Sequence, residues 1–511
     1  MKIGGLIVSI IALLSSGISA QSGFKCSYMP SHTQNNASRF VFESTNGQYI
    51  AGGMSIDTTS GTPVSCLTVC GLSATGQVLW QKRYGRKQFQ YLSNALNSRV
   101  AIKQGNHIYY TGCILDSNNK YQGILVKLDF NGDTLWQKIY RDSQQDVVPQ
   151  MLTKGIDNSF LITGYFQVGG VSTMLIKTKL NGDEIWRKKI NKNNPNVSAG
   201  NAILQDSLSK NIIIGGYQYD QNSNMVDQLL IVDSLGNNPA RYQYLGIGGI
   251  VKDFVQGQDK HLVVVGMNLQ QEKIGSNHLS TSYILKINLN NPFNPVWSNY
   301  NYDKKTLLNL FTSVCLRQNG DILVAGALDT VSMLNNLEHN LNRITSFNSS
   351  GQVNWNRIYD YKSLNSTGIH VQGIRAIEST SDNGWVVAID KLNYGQTNSL
   401  FYVKYNASGC DSSAAHCATL NLVGVPEKAP LSSLPELVPN PASDYVWWRH
   451  ETESFIRYDQ VEIYDALGNK VLSVPKDKPR VSVQHLPNGL YLVKFLEKDV
   501  LLWTKKLMVL H

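Results

Sequence analysis

The 511-residue sequence has few charged residues, no block of one charge and no long apolar run beyond its N-terminus. Asp, Glu, Lys and Arg make up 16% of it, and the formal net charge of +9 comes from scattered Lys and Arg. Because nucleic-acid-binding faces need clustered basic residues, we expect no nucleic-acid partner. No later stretch is long enough to cross a bilayer, so we also expect no membrane span.

Signatures of the common catalytic sites are missing as well. The sequence has no GxSxG elbow, no HExxH, no P-loop and no GxGxxG that opens a helix. Residues 129–133 resemble part of a calcium loop, but they lack the downstream Glu and are typical of a hairpin turn. The histidines are isolated and have no metal-ligand spacing. We therefore predict no metal, no cofactor and no catalytic residue, and the sequence favours a protein that is not an enzyme.

The seven cysteines leave at least one unpaired within the chain. Cys410 and Cys417 flank a short polar loop and are the candidate disulfide pair. Cys66 and Cys70 fall in one predicted strand, where four residues at about 3.3 Å each separate them by about 13 Å. Because a disulfide tolerates about 7 Å between Cα atoms, we expect these two not to pair with each other.

The N-terminus has the features of a secretory signal. Lys2 precedes an apolar run over residues 3–14, and small residues lead up to Ala20 and Gln21. We predict a signal peptide over residues 1–20, with cleavage between Ala20 and Gln21. An exported chain reaches a compartment in which disulfides are permitted.

A tryptophan-centred phrase recurs through most of the chain. It is GQVLWQKRY at 76–84, GDTLWQKIY at 132–140, GDEIWRKKI at 182–190 and GQVNWNRIY at 351–359, with degraded copies ending at 244 and 300. Successive copies end 56, 50, 54, 56 and 59 residues apart. A period in this range indicates a repeat architecture.

Each repeat contains four short segments rich in Val, Ile and Tyr, separated by turn signals, which is typical of antiparallel strands. The second segment occurs seven times. We therefore predict an all-β chain in which residues 21–417 form a seven-bladed β-propeller. A linear β-solenoid is the alternative, although units of this length are long for one coil.

The seventh repeat lacks the tryptophan phrase, because NASGCDSSAAHC stands there at residues 406–417. A ring that misses one outer strand can take it from the other terminus, so we predict that residues 24–28 complete the last blade. Cys26 would then lie near Cys410 or Cys417, and we include a disulfide between Cys26 and one of them as part of this hypothesis.

The phrase resembles the blade motif of the quinoprotein-like propellers, in which an Asp-x-x-Gly turn leads into a strand that carries Trp. Asp129, Gly132 and Trp136 match this motif. The resemblance implies that each Trp docks on the neighbouring blade, and the matching residues are Trp80, Trp136, Trp186, Trp297 and Trp355, with Ala240 or Arg241 in the fourth repeat. Quinone-dependent members carry vicinal cysteines and calcium-ligating acids that are not found here, so the resemblance implies a fold and not a cofactor.

Residues 418–436 contain Pro, Ser and Leu without a clean period and are predicted to be a linker. Residues 437–511 follow as a small all-β module that resembles the type A C-terminal sorting domain of the type IX secretion system of Bacteroidota. The resemblance rests on ordered motifs that include Pro439, Asn440, Pro441, Gly468, Gly489, Tyr491, Lys505 and Lys506. It implies an immunoglobulin-like β-sandwich that the secretion machinery recognises, and a cargo that is secreted or anchored at the outer cell surface.

The long connections place the predicted binding site. Connections between second and third strands and between repeats are long and variable, and propeller topology puts both sets on one face, here called the long-loop face. Because binding residues favour variable loops on a rigid scaffold, we predict an extracellular glycan or protein ligand there. The candidate binding residues are Tyr121, Tyr165, Phe166, Tyr217, Tyr219 and Tyr394. We expect the protein to be a monomer.

Two other functions stay open. The first is a polysaccharide-active hydrolase or lyase with acids at the mouth of the central channel, since the first strands carry Glu43, Lys103, Lys154, Asp206, Asp253, Arg317 and Arg375. Asp206 and Asp253 are the candidate acid and base, and a glycosidase would need two carboxylates within about 5–10 Å. The second is a structural or adhesive surface protein.

Overall fold

The computed structural model describes residues 23–511 apart from 45–46, 60, 62, 86–89, 93–98, 191–197, 220–224, 243–248, 275–276, 302–305, 332–337, 360–369, 394–397, 412–435, 450–458, 466–468, 476–479 and 498–499. The regular elements of these residues are all β-strands. The chain divides into two compact units, Met1–Val423 and Gly424–His511. The predicted signal peptide, and the linker apart from its last residue, lie outside the described residues and stay predictions.

The first unit consists of seven antiparallel sheets, one for each sequence repeat, which we number as blades 1 to 7. Blades 1 to 3 contain β2 (Thr33–Glu43), β3 (Tyr49–Asp57), β4 (Val64–Leu72) and β5 (Val78–Tyr84); β6 (Gln90–Leu92), β7 (Ala101–Gln104), β8 (His107–Leu115), β9 (Tyr121–Asp129) and β10 (Thr134–Tyr140); and β11 (Asp146–Lys154), β12 (Ser159–Gln167), β13 (Val171–Lys179) and β14 (Glu184–Ile190). Blade 2 differs in that both β6 and β7 pair with β8.

Blades 4 to 7 repeat the four-stranded pattern. They contain β15 (Ser198–Gln205), β16 (Ile212–Tyr219), β17 (Met225–Val232) and β18 (Ala240–Tyr242); β19 (Gly249–Gln256), β20 (Leu262–Ile274), β21 (Asn277–Asn288) and β22 (Asn291–Asn301); β23 (Thr306–Leu316), β24 (Ile322–Val331), β25 (Glu338–Phe347) and β26 (Val353–Tyr359); and β27 (His370–Ser379), β28 (Trp385–Asn393), β29 (Ser399–Tyr405) and β1 (Phe24–Tyr28). The sequence phrase with Trp therefore forms the outermost strand of a blade.

The seven sheets close into a ring around their innermost strands. Strands β2, β7, β11, β15, β19, β23 and β27 each contact the next, and β27 contacts β2 in turn. The last blade is completed by β1, which pairs antiparallel with β29 from Phe24 opposite Lys404 to Tyr28 opposite Leu400. The predicted seven-bladed propeller and the predicted closure by residues 24–28 are both confirmed.

The repeat tryptophans lock each blade onto the next. A Cβ added to Gly132 would lie 2.5 Å from Trp80, and one added to Gly182 would lie 2.7 Å from Trp136, so only glycine leaves room for the indole. Both glycines have φ near +80°, which a residue with a side chain rarely adopts. Ala240 takes the tryptophan's register position in blade 4. The tryptophans are scaffold, as the resemblance implied.

The segment that resembled a calcium loop is a hairpin turn, as predicted. The carboxylate of Asp129 accepts the backbone N–H groups of Asn131 and Asp133 at 2.9 and 2.7 Å. A side chain that closes its own turn in this way stabilises the local conformation without an ion.

Five cysteines of the propeller are free thiols, among them Cys26, Cys66 and Cys70. The expectation for Cys66 and Cys70 is therefore confirmed, whereas a disulfide of Cys26 is wrong: its side chain is buried between blades 7 and 1. Cys410 is disulfide-bonded. Its predicted partner Cys417 lies outside the described residues, so that pairing stays a prediction.

The second unit is a two-sheet sandwich. One sheet contains β30 (Glu436–Val438), β31 (Tyr445–Arg449) and β34 (Arg480–Ser482), and the other contains β32 (Gln460–Tyr464), β33 (Lys470–Pro475), β35 (Gly489–Glu497) and β36 (Val500–Val509). Apolar side chains of both sheets form one core, in which Trp448 meets Phe495 edge to face at 5.8 Å. The predicted immunoglobulin-like sandwich is confirmed.

Candidate functional site

Three of the predicted binding tyrosines lie together. Tyr217 and Tyr219 follow each other on one side of β16, with ring centroids 6.1 Å apart and ring planes at 81°. Tyr165 lies near the end of β12 in the neighbouring blade and is close enough to Tyr217 to raise its pKa. All three side chains are half-buried and sit where the second strands of blades 3 and 4 run toward the long-loop face. We call them the tyrosine cluster.

The surroundings of Tyr217 favour the neutral form of its phenol. Burial raises the pKa of Tyr217, and the neighbouring Tyr219 and Tyr165 raise it further. A protonated phenol can donate one hydrogen bond and accept others, while the ring offers an apolar face. This combination of ring faces and hydroxyls suits a polar ligand with exposed C–H groups.

The remaining predicted aromatics do not join this cluster. Phe166 is 1% exposed and packs in the core between blades 2 and 3, which rules it out as a ligand contact. Tyr121 begins β9, and its backbone N–H donates to Asp146 at 3.0 Å, so it lies between blades 2 and 3. Tyr394 lies outside the described residues. The prediction for Phe166 was wrong because the residue lies within β12 beside Tyr165, and adjacent residues of a strand point to opposite faces of the sheet.

A charged cavity of about 550 Å³ lies at the other end of the propeller axis. It is lined where the innermost strands end, by residues of six blades that include Glu43, Lys103, Gln256 and Glu378. The tight turns follow these strand ends, so the cavity opens away from the long-loop face. Glu43 and Lys103, two of the first-strand charges predicted to lie at a channel mouth, line this cavity.

Arg99 closes this cavity at its inner end. Its guanidinium crosses the axis from blade 2, donates to the carbonyl oxygen of Val314 in blade 6 at 2.6 Å, and lies 3.6 Å from the carboxylate of Asp253 in blade 5. Burial raises the pKa of Glu378, and the positive charge of Arg99 opposes that rise. Glu378 therefore holds its proton to a higher pH than an ordinary glutamate does.

The predicted acid and base, Asp206 and Asp253, are both committed to the scaffold. Asp206 accepts the Ser209 N–H at 2.7 Å within its own turn and the side-chain amide of Gln256, from blade 5, at 2.5 Å. Asp253 accepts the backbone N–H of Val314 at 3.0 Å and is fully buried. Neither carboxylate is free to act on a substrate at a channel mouth.

Within the described part of the chain, no cluster of three or more His, Cys, Asp or Glu side chains is arranged to hold a metal ion. None of the elements described there is an apolar helix of membrane-spanning length.

The sorting motifs of the second unit hold its last strand in place. The side chain of Asn440 donates to the carbonyl of Lys506 at 2.8 Å and accepts Met508 N–H at 2.9 Å. The hydroxyl of Tyr491 donates to the carbonyl of Pro487 at 2.8 Å. Pro439, Pro441 and Lys506 are exposed, Lys505 is half-buried, Gly489 begins β35, and Gly468 lies outside the described residues.

Comparison with known proteins identifies this second unit. Residues 436–510 match the family described as secretion system C-terminal sorting domain. The fold and this module together define an exported β-propeller with a C-terminal sorting signal. The protein is a cargo of the type IX secretion system, which delivers it to the cell surface or the extracellular space.

No curated protein sequence matches the chain. Solved structures match with low identity. One, a protein of unknown function from Dyadobacter fermentans DSM 18053, has 8% identity and a TM-score of 0.40 and covers 75% of this chain and 97% of its own. The β-propeller domain of the Trilobed protease from Pyrococcus furiosus has 10% identity and a TM-score of 0.37, with 76% and 100% covered. PorZ, a surface component of the type-IX secretion system of Porphyromonas gingivalis, has 8% identity and a TM-score of 0.25, with 93% and 81% covered.

Proposed function

We propose that the exported propeller is a binding module for an extracellular ligand and that the tyrosine cluster of the long-loop face is its contact surface. The observation that carries this proposal is the meeting of Tyr165, Tyr217 and Tyr219 from two blades. The cluster favours a glycan over a protein ligand, because sugar rings present C–H groups to aromatic faces and hydroxyls to phenols.

The scaffold under the cluster supports this function. Tyr165 and Tyr217 belong to strands that are paired on both sides, opposite Thr173 and Asp227. Their rings are therefore held in position before a ligand arrives, which lowers the entropic cost of binding. Aromatic side chains on such a fixed base give large contact areas with few rotatable bonds.

The hydrolase alternative has less support from the geometry. A glycosidase needs an acid and a second carboxylate that can act as base or nucleophile. Glu378 offers the acid, but its neighbour Asp253 is occupied by Ser313, Val314 and Phe254. Glu43, the other carboxylate among the described residues that line the cavity, accepts the backbone N–H and the hydroxyl of Ser381 at 2.7 and 2.8 Å.

The test is a screen of the secreted protein on a glycan array and against extracellular proteins, with product analysis for every polysaccharide that binds. Binding of a glycan without turnover is the expected result. Cleavage of a bound polysaccharide would instead favour the enzyme, and binding to neither class of ligand would favour a structural surface protein.

A further inference from the structure

Every blade places one polar residue at the same point of its innermost strand. In six blades the strand carries a β-bulge, and the bulged residues are Arg39, Gln150, Asn201, Lys252, Thr312 and Arg375. Arg99 takes this place in blade 2, directly before Val100, whose carbonyl accepts the N–H of Thr111. We call these seven residues the bulge ring. A bulge re-aims the side chain of its extra residue, and here it does so seven times around one axis.

Side chains of the bulge ring reach across the axis. Arg99 of blade 2 contacts Val314 of blade 6 and approaches Asp253 of blade 5. The positive charge of Arg375 in blade 7 lowers the pKa of Lys252 in blade 5, although blade 6 lies between these two blades. Such pairs can meet only through the central channel, so the ring surrounds a common space on the axis.

The ring carries an excess of positive charge. Four of its seven residues are basic, and three carboxyl groups face them, those of Asp390, Asp253 and Glu378. Asp390 holds both Arg39, at 2.8 Å, and Arg375, at 2.7 Å, and Asp253 faces Arg99. Lys252 is left over: it is 8% exposed, and among the described residues no hydrogen bond or ion pair holds its amine.

Burial of the charged Lys252 amine without a counter-ion costs free energy. Burial lowers the pKa of Lys252 to about 8, and the positive charge of Arg375 adds to the effect. Charged side chains are rarely fully buried without a partner. An anion seated between the two would supply that partner and would receive short, charge-assisted hydrogen bonds.

We propose that the bulge ring binds a small oxyanion, a carboxylate or sulfate group, on the propeller axis, with Lys252 and Arg375 as its charged contacts. The neutral members give the site polar walls. Asn201 and Thr312 already donate to the carbonyls of Val251 and Ile374, the residues directly before the bulges of the following blades. The site is separate from the tyrosine cluster and does not depend on it.

The first test locates the anion. Crystals of the secreted protein soaked in selenate should show anomalous selenium density beside Lys252, with an oxygen of the selenate within hydrogen-bond distance of Lys252 Nζ. The Lys252→Met variant should lose that density, while Lys154→Met, which changes an exposed lysine of β11 in blade 3, should keep it. Absence of selenium at Lys252 in the wild-type crystals would overturn the proposal without recourse to a variant.

The second test separates the two sources of the oxyanion. Titration calorimetry of the secreted protein with sulfate and with glucuronate should detect binding of at least one, weakened about 10-fold or more by Lys252→Met because a charge-assisted contact is lost. Tighter binding of glucuronate would assign the site to an acidic sugar, and tighter binding of sulfate would assign it to a free ion or a sulfated ligand. Equal affinities in wild type and Lys252→Met would contradict the proposal.

Discussion

Phe24 lies over Gly76, so that a Cβ added to the glycine would meet the phenyl ring at 2.4 Å. Phe24 stands opposite Lys404, which is the register position that Trp355 holds opposite Ser346 in blade 6. The N-terminal strand therefore supplies both the missing pairing partner of blade 7 and the missing aromatic lock onto blade 1. Phe24 thus joins blade 7 to blade 1 in the way that Trp80 joins blade 1 to blade 2.

Loss of the lock at Phe24 should open the ring at its seam. The Phe24→Ala change removes a ring that is 3% exposed, and large-to-small changes at such sites cost about 3–5 kcal/mol. Urea denaturation should show a loss of this order. Ser27→Ala, an exposed site on the same strand, is the control and should cost less than about 0.5 kcal/mol. Equal midpoints for the two variants would speak against closure by β1.

Gly132 should tolerate alanine far less well than Gly320. Both have positive φ, +78° and +86°, so alanine strains the backbone at each. Only at Gly132 would the methyl group also strike Trp80, whereas Gly320 has open space around it. We expect about 1–2 kcal/mol for Gly320→Ala and about 1–3 kcal/mol more for Gly132→Ala. Similar thermal midpoints would mean that the Trp–Gly contact is not a lock.

Replacement of Lys252 should stabilise the protein at neutral pH. The folded-state pKa of Lys252 is about 8, below its unfolded value of 10.5. Between these two pH values the amine is protonated in the unfolded chain and neutral in the folded chain. The penalty is fully present below pH 8 and fades as pH rises toward 10.5. Lys252→Met should therefore gain on the order of 3 kcal/mol at pH 7 and much less at pH 10.

Urea titrations of both proteins at the two pH values measure this difference in anion-free buffer. Arg375→Met provides a comparison of opposite sign, since it leaves Asp390 with one arginine fewer and should destabilise. A gain for Lys252→Met that is independent of pH would show that the amine does not titrate as a buried, unpaired group.

Asn440 should be needed for the sorting domain to hold its last strand. Its side chain makes two hydrogen bonds to the backbone of β36, and loss of both should cost about 1–3 kcal/mol. We expect Asn440→Ala to reduce the amount of protein found outside the cell, with Ser443→Ala, at an exposed site nearby, as the control.

Deletion of residues 437–511 should leave the protein in the periplasm. Undiminished export of that deletion would contradict its assignment as a type IX cargo.

Much of the fold was predictable because its determinants are local and repeated. The Trp phrase, the Asn-Gly turns and the missing seventh phrase each mark a strand or a connection, and together they required an outer strand from residues 24–28. The bulge ring was not predictable in the same way. Its members differ in residue type, so only the pairing register of the strands shows that they occupy equivalent positions, and of the predicted channel charges only Arg375 belongs to it.

The binding site was harder to predict because alternation along a strand decides which aromatic faces the ligand. Tyr165 and Phe166 are adjacent, yet only Tyr165 reaches the tyrosine cluster while Phe166 enters the core. Asp206 and Asp253 had the right chemistry for catalysis but are occupied by turn and backbone groups, which depends on contacts between blades that sequence spacing does not encode.

The measurement that tests the central claim most directly is the affinity of the secreted protein for its strongest glycan-array ligand, compared among matched tyrosine variants. Tyr217→Ala should weaken binding about 10-fold or more, as loss of an aromatic contact of about 1.5–3 kcal/mol requires. Tyr300→Ala, which removes a half-exposed tyrosine from the outer strand of blade 5, should leave the affinity unchanged. Wild-type affinity for Tyr217→Ala, or no glycan ligand at all, would contradict a glycan-binding long-loop face.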